Sequence, residues 1–301
     1  MLRQSQGMPP EPRTLLQIVN WATAFFKSHD IEQPRAAAEI LLAHTLGMSR
    51  LDLYIRYDRP LEPKELKAFK EIVQRRIQGE PVAYIVGEKG FWSLDLKVTP
   101  DVLIPRPETE TLVETALEII PAELAKKSLN ILELGTGSGA VILALATERP
   151  GHRFYATDSS DKALAVAQGN ARRCGLLGSV TFLQGDWFEA VRHQRRCFDV
   201  IVSNPPYISH RDLDALSPEI LRYEPRVALD GGPDGLDAIR IIIENAVDYM
   251  FPGGWLLFEI GSDQRASVEK LILDSGAYAD FGIVKDYNGF DRVVRVRAQK
   301  A

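Results

Sequence analysis

The chain has little of what builds covalent or metal frameworks: its 301 residues include only two cysteines and five histidines. Cys174 and Cys197 form neither a C-x-x-C pair nor a disulfide framework, so they read as idle thiols of a reducing compartment. No group of His, Cys, Asp and Glu shows metal-ligand spacing, which predicts no bound metal. Long apolar runs are missing too. The longest, residues 140–146 and 255–260, are core-sized and fall well short of the ~20 residues of a membrane span. Residues 1–13 hold three prolines, a glycine and charges but no apolar stretch, unlike a secretory signal. Positive charge is not in excess: 36 Lys and Arg face 41 Asp and Glu, a net charge of −5. That balance argues against a grip on long nucleic acid, which needs a clustered basic face. No repeat or low-complexity tract appears. A cytoplasmic protein without a membrane or long nucleic-acid partner is the expectation.

A composition of 45% hydrophobic and 26% charged residues describes a globular chain, and the length suits about two domains. Residues 1–80 read as a helical domain. Thr14 and Gln17 have capping-box spacing ahead of Leu15, Ile18, Val19, Ala22, Phe25 and Phe26 at helical intervals. Pro34 starts a second helix carrying Ile40, Leu41 and Leu42, with Gly47 as its stop. A third begins near Pro63 and aligns Leu66, Phe69, Val73 and Ile77 before Gly79. Residues 81–104 read as a connecting β-hairpin: a strand at 84–86, a turn at 87–90, then Leu94, Leu96 and Val98 in alternation.

Residues 105–301 form the second domain. From Asn130, strands at Asn130–Leu134, 153–157, Val180–Gln184, Phe198–Ser203 and 255–260 alternate with helices at 140–146, 162–174, 236–249 and 264–274. Such alternation predicts an α/β fold with a mostly parallel sheet. Two β-rich segments at 279–285 and 292–297 flank Asn288-Gly289, a hairpin signal that makes the last strand antiparallel.

Four constellations follow strand ends. In Glu133-Leu134-Gly135-Thr136-Gly137-Ser138-Gly139, the glycines permit a tight strand-to-helix turn and close backbone approach to a ligand. The free N–H groups beyond suit an anion such as a carboxylate; a purely structural turn is the alternative. Asp158 ends the next strand, where a carboxylate suits the ribose hydroxyls of an adenosine-containing ligand or else caps the following helix. Asp186 and Trp187 follow the third strand. The acid can accept the amino hydrogens of adenine, and the indole completes a base pocket or fills core. Last comes Asn204-Pro205-Pro206-Tyr207, where two prolines stiffen the chain just past a strand. The Asn204 carboxamide and the Pro205 carbonyl can both accept hydrogens from one planar NH₂ group, with Tyr207 as a stacking face. A proline-rich surface turn is the competing reading.

This order of motifs resembles the class I S-adenosylmethionine-dependent methyltransferases that modify planar amino groups. Three further stretches narrow the resemblance: residues 103–110 (LIPRPETE), residues 223–229 (YEPRVAL) and residues 288–292 (NGFDR). With the helical N-terminus they resemble the HemK/PrmC family, the protein-(glutamine-N5) methyltransferases of peptide chain release factors. The resemblance implies a class I Rossmann-like sheet with a small N-terminal helical bundle joined to it by a β-hairpin. It implies S-adenosyl-L-methionine as cofactor, with S-adenosyl-L-homocysteine as product. Gly135, Thr136, Gly137, Ser138 and Gly139 would hold the methionine part, Asp158 the ribose, and Asp186 and Trp187 the adenine surroundings, with Asn204 beside them. Asn204, Pro205, Pro206 and Tyr207 would hold the glutamine of a Gly-Gly-Gln tripeptide, the 106–110 segment would wall the pocket, and the N-terminal helices would help recognise the release factor.

Such a site needs no strong base. Holding the amide nitrogen in line contributes an entropic advantage, and the acceptors strengthen as positive charge builds on nitrogen. His210, three residues past Tyr207, reads as a loop residue. The rivals are an N6-adenine methyltransferase of DNA or RNA, a glutamine methyltransferase of a ribosomal protein, a non-catalytic adenosine-ligand sensor and a Rossmann dehydrogenase.

Overall fold

A computed structural model describes residues 14–122 and 128–299, so the 1–13 segment considered above lies outside the described residues. The chain divides into two units. One comprises residues up to Gly87 together with Pro218–Tyr223; the other comprises the rest.

The first unit is helical. Helix α1 (Leu15–Ser28) opens on the expected box: Gln17 N donates to Thr14 Oγ1 at 3.4 Å, and Thr14 N donates to Gln17 Oε1 at 3.0 Å. Its buried face is Leu15, Ile18, Val19, Ala22 and Phe26, while Phe25 is half-buried and stacks on Trp21. Helix α2 (Pro34–Leu46) begins on its proline and stops at Gly47, whose φ of 61° is left-handed. A short α3 (Arg50–Ile55), absent from the sequence reading, is capped by Ser49. Helix α4 (Pro63–Ile77) then buries Leu66, Phe69 and Val73.

Residues 84–86 depart from expectation. They lie in a fifth helix, α5 (Val82–Val86), not in the first strand of a hairpin. Pro81 stands at its N-cap, Gly87 closes it at φ 80°, and Ile85 packs into the helical core. Burial against other helices overrides the β-branched bias of so short a run. The expected turn at 87–90 instead begins strand β1 (Glu88–Phe91), which pairs with antiparallel β2 (Leu94–Lys97) around Trp92 at φ 55°. In the same helical unit, the buried Arg76 pairs with Glu219 of the 218–223 segment at 2.7 Å.

The second unit holds that hairpin, a 3₁₀ turn at Pro107–Thr109, α6 (Glu110–Ile119) and a seven-stranded sheet. Its elements run β3 (Asn130–Leu134), α7 (Ala140–Glu148), β4 (Arg153–Asp158), α8 (Asp161–Arg173), β5 (Val180–Gln184) and β6 (Phe198–Ser203). There follow α9 (His210–Leu213), α10 (Pro218–Tyr223, counted with the helical unit), α11 (Asp237–Tyr249), β7 (Met250–Glu259), α12 (Arg265–Ser275), β8 (Tyr278–Lys285) and β9 (Asp291–Ala298). Strand order is β5-β4-β3-β6-β7-β9-β8. The first five in that order are parallel to one another; β9 runs antiparallel to β7 and, as the Asn-Gly signal requires, to β8.

Successive residues of the central strands enter two different cores. Val200, Val202 and Leu257 pack with α6 and α7, whereas Ile201, Leu256 and Phe258 pack with α11 and α12. A sheet covered on both faces explains continuous apolar runs where a one-sided sheet would alternate. Between β3 and β6 the crossovers leave in opposite directions, and their carboxyl ends open a crevice there.

Candidate functional site

A cavity of about 500 Å³ occupies that crevice. Gly135, Thr136, Gly137, Ser138, Asp158, Asp186, Trp187, Asn204, Pro205 and Pro206 all line it. Four separate strand ends therefore converge, and Asn204-Pro205-Pro206 shares one space with the glycine turn. Gly139 and Tyr207 do not line the cavity. Gly139 is the N-cap of α7, and Tyr207 turns its hydroxyl to Glu259 Oε1 at 2.9 Å.

The glycine turn is shaped for close approach. Gly135 and Gly137 adopt φ of 69° and 55°, and a Cβ at either would meet no atom within 4 Å. Open space over left-handed backbone leaves a ledge against which a ligand can lie. Beyond it, α7 starts on Gly139 without a side-chain cap; its Ile142 N–H meets the buried Glu133, and the first N–H groups, of Ala140 and Val141, suit a carboxylate.

Asp158 is tied to this turn. Its Oδ2 accepts from Gly137 N and its Oδ1 from Ser160 N, both at 2.9 Å. The N-cap of α8 is Ser160, whose hydroxyl accepts from Ala163 N at 3.2 Å, so the cap reading of Asp158 gives way. Each carboxylate oxygen accepts more than one hydrogen, leaving capacity for hydroxyls in the cavity. Trp187 is half-buried at φ 44°; it packs against the core that includes α11 and also borders the cavity. Gly185 must be glycine, because a Cβ would stand 2.6 Å from Ala190 N.

The amide of Asn204 is oriented. Its Nδ2 donates to Thr109 Oγ1 at 3.0 Å, so Oδ1 is the acceptor the side chain presents. His210 is not in a loop but opens α9, and its ring lies 3.0 Å from Asp230.

The three stretches beyond the main motifs find physical roles. Arg106, which lines the cavity, forms an ion pair with buried Glu224, and that carboxylate also accepts from Ile104 N at 3.1 Å. The 223–229 stretch thus clamps the 103–110 stretch. In the 288–292 turn, Arg292 Nε donates to Asp286 at 3.1 Å and Nη1 donates to Ile260 O at 3.1 Å.

Sequence reasoning gave no role to three buried acids. Glu133 lines the cavity at 2% exposure; burial pushes its pKa up to about 8, with Asp158 adding to the rise and the Thr136 hydroxyl opposing it. Glu259 is 1% exposed, and burial raises its pKa against the Thr109 and Tyr207 hydroxyls and Arg292. Glu224 is the third. The signal for the first two was legible: each is a single acid in an otherwise apolar strand end.

The doubly covered sheet with this cavity at its switch point defines a methyltransferase fold. Residues 17–87 match the PrmC N-terminal domain model, and residues 125–247 match a methyltransferase domain model. The chain is 44% identical over 285 residues to the release factor glutamine methyltransferase of Geobacter sulfurreducens, covering 95% of this chain and 97% of that one. The protein of the same name from Moorella thermoacetica is 45% identical, covering 93% and 96%. Among solved structures, a methyltransferase from Pyrococcus furiosus aligns at TM-score 0.50 and 18% identity, covering 76% of this chain and 98% of that one. The hMettl16 catalytic domain in complex with the MAT2A 3'UTR hairpin 6 aligns at 0.55 and 14%, covering 81% and 85%. At those identities the two structures share the fold alone. The chain belongs to the release factor glutamine methyltransferase family.

Proposed function

We propose that this protein transfers a methyl group from S-adenosyl-L-methionine to the side-chain amide N5 of the glutamine in the Gly-Gly-Gln motif of peptide chain release factors. One observation carries the reading: the Asn204-Pro205-Pro206 edge and the glycine turn border the same cavity. Family membership supports the substrate.

The residues present fit the cofactor. The open ledge over Gly135 and Gly137 and the uncapped start of α7 suit its amino-acid end, Asp158 its ribose, and Asp186 with Trp187 its base. When bound, it supplies an electrophilic methyl group on a sulfonium. The protein supplies position and charge. Asn204 Oδ1 and the Pro205 carbonyl accept the two hydrogens of the glutamine NH₂, which fixes the plane of the amide. That holds the nitrogen in line and removes the entropy of finding the geometry. Both acceptors gain strength as positive charge develops on nitrogen, so they favour the transition state over the ground state. The proton leaves to water. The helical unit contributes recognition of the release factor, and the enzyme works in the cytoplasm.

Asn204→Ala tests the clamp. Turnover on purified release factor should fall by about 10³-fold, in the range of a lost transition-state hydrogen bond, while cofactor affinity stays near wild type. Retained turnover removes the clamp. Labelled cofactor with release factor carrying a Gln→Asn change in the tripeptide should give no transfer, and label on an oligonucleotide instead would favour the adenine reading.

A further inference from the structure

A glutamine outside the cavity holds the far end of the tetrapeptide. Gln264 stands at the N-cap of α12, yet its side chain makes no cap to that helix. It turns inward instead and is 9% exposed. Its Nε2 donates to Tyr207 O at 2.9 Å and to Gly235 O at 3.0 Å, and its Oε1 accepts from Gly261 N at 2.9 Å. One NH₂ group thus bridges two main-chain carbonyls, which can only accept, so the orientation of this amide is fixed. A methionine would fill the same space but leave three backbone groups without that partner. Gln264, Gly235 and Gly261 all lie outside the cavity lining, so none of them touches a ligand there.

The 231–235 loop is cut to the same fit. Gly235 has φ of 77°, and a Cβ on it would stand 2.4 Å from Tyr207 O and 2.7 Å from Gln264 Nε2. A Cβ on Gly231 would stand 2.8 Å from Tyr207 Cα. Two glycines therefore let the loop close on the Tyr207 backbone. Next to it, Ile208 N donates to Leu229 O at 3.0 Å and Gly231 N to Ile208 O at 2.9 Å. The near end of the tetrapeptide is anchored too. Ser203 Oγ donates at 2.9 Å to Leu134 O, one residue before the glycine turn. Between these anchors Pro205 and Pro206 lock φ, so few torsions remain to absorb a shift at Tyr207. Such a shift passes to the Pro205 carbonyl.

We propose that Gln264 is a positioning residue: by bridging the carbonyls of Tyr207 and Gly235 it pins the far end of the tetrapeptide, and so sets where the Pro205 carbonyl and the Asn204 amide meet the substrate NH₂. The inference deepens the methyl-transfer reading and rests on it.

The test uses the full-length protein with purified release factor and cofactor. Turnover is counted per cofactor-binding site, measured by calorimetry, so that only folded molecules enter. Gln264→Met should lower kcat ten- to a hundredfold, the cost of misplacing the clamp by about 1 Å, with cofactor affinity and the KM for release factor within about threefold of wild type. Gly235→Ala pushes on the same carbonyl from the other side and should give the same split; should one variant not fold, the other decides. In an Asn204→Ala background, where the clamp is already broken, adding Gln264→Met should cost less than about threefold. Wild-type kcat in a folded Gln264→Met enzyme overturns the inference. So does a loss lodged in KM or cofactor affinity, or one that multiplies in full with Asn204→Ala. Wild-type enzyme that transfers nothing to release factor removes the reading underneath instead; an active wild type with an unaffected Gln264→Met removes this inference only.

Discussion

The helical unit and the sheet unit bury different things. In the helical unit, the interior of α1, α2 and α4 is almost wholly apolar, with Phe26, Leu41, Leu42 and Phe69 fully enclosed. Its two buried ionic groups are matched: Glu39 pairs with Arg35 and Arg50, and Arg76 with Glu219. In the sheet unit many more polar groups are buried, and Glu133, Thr136, Ser138, Thr157, Ser203 and Glu259 among them stand at or just past the carboxyl ends of strands. Burying polar groups is costly, and doing so repeatedly at one edge marks where geometry matters more than stability. One unit is built for packing and the other gives up some packing for a site.

The contrast can be broken or sharpened by mutation. The largest expected effect on stability is Phe69→Ala, a truncation in the apolar helical core that should cost about 3–5 kcal/mol in denaturant unfolding. Cofactor affinity should hold; a matched loss of affinity would erase the distinction between the units. Glu133→Gln comes next. With a native pKa of about 8 against an ordinary value of 4.5, Glu133 stays protonated in the fold while the unfolded chain ionises. The unfolded state then binds fewer protons, so the stability Glu133 contributes falls as pH rises from about 4.5 to about 8 and levels off above. The glutamine variant should flatten that decline, with thermal unfolding curves at pH 5, 7 and 8.5 diverging most at the top of the range. Curves that stay parallel would place the acid in an ordinary environment. The smallest effect is Asp158→Ala. Calorimetry should find cofactor binding weaker by about tenfold, near the 1–1.5 kcal/mol of a typical hydrogen bond. Unchanged binding would leave Asp158 only its hold on Gly137 and Ser160.

Much of this was legible in advance for reasons visible in particular residues. Strands β3, β5 and β6 fall where the sequence placed them, and β3 and β6 are legible because both their faces are covered, which gives largely apolar runs. Thr14 with Gln17, Pro34 and Gly47 mark helix ends through local chemistry that needs no distant partner. Residues 84–86 went astray because three apolar residues fit either a strand or a helix, and the choice was made by the core they enter. The Thr109–Asn204 and Tyr207–Glu259 bonds were equally hidden, each joining positions far apart in the chain.

By itself the sequence determined the layers, the order of strands and helices, and the chemical vocabulary at each strand end, since periodicity, turn residues and propensity act over a few neighbouring positions. Only the tertiary structure decided which of those words stand together. Sheet order brings the ends of β3, β4, β5 and β6 to one crevice. A hydrogen bond between residues far apart in the chain, Asn204 and Thr109, orients the amide of the tetrapeptide.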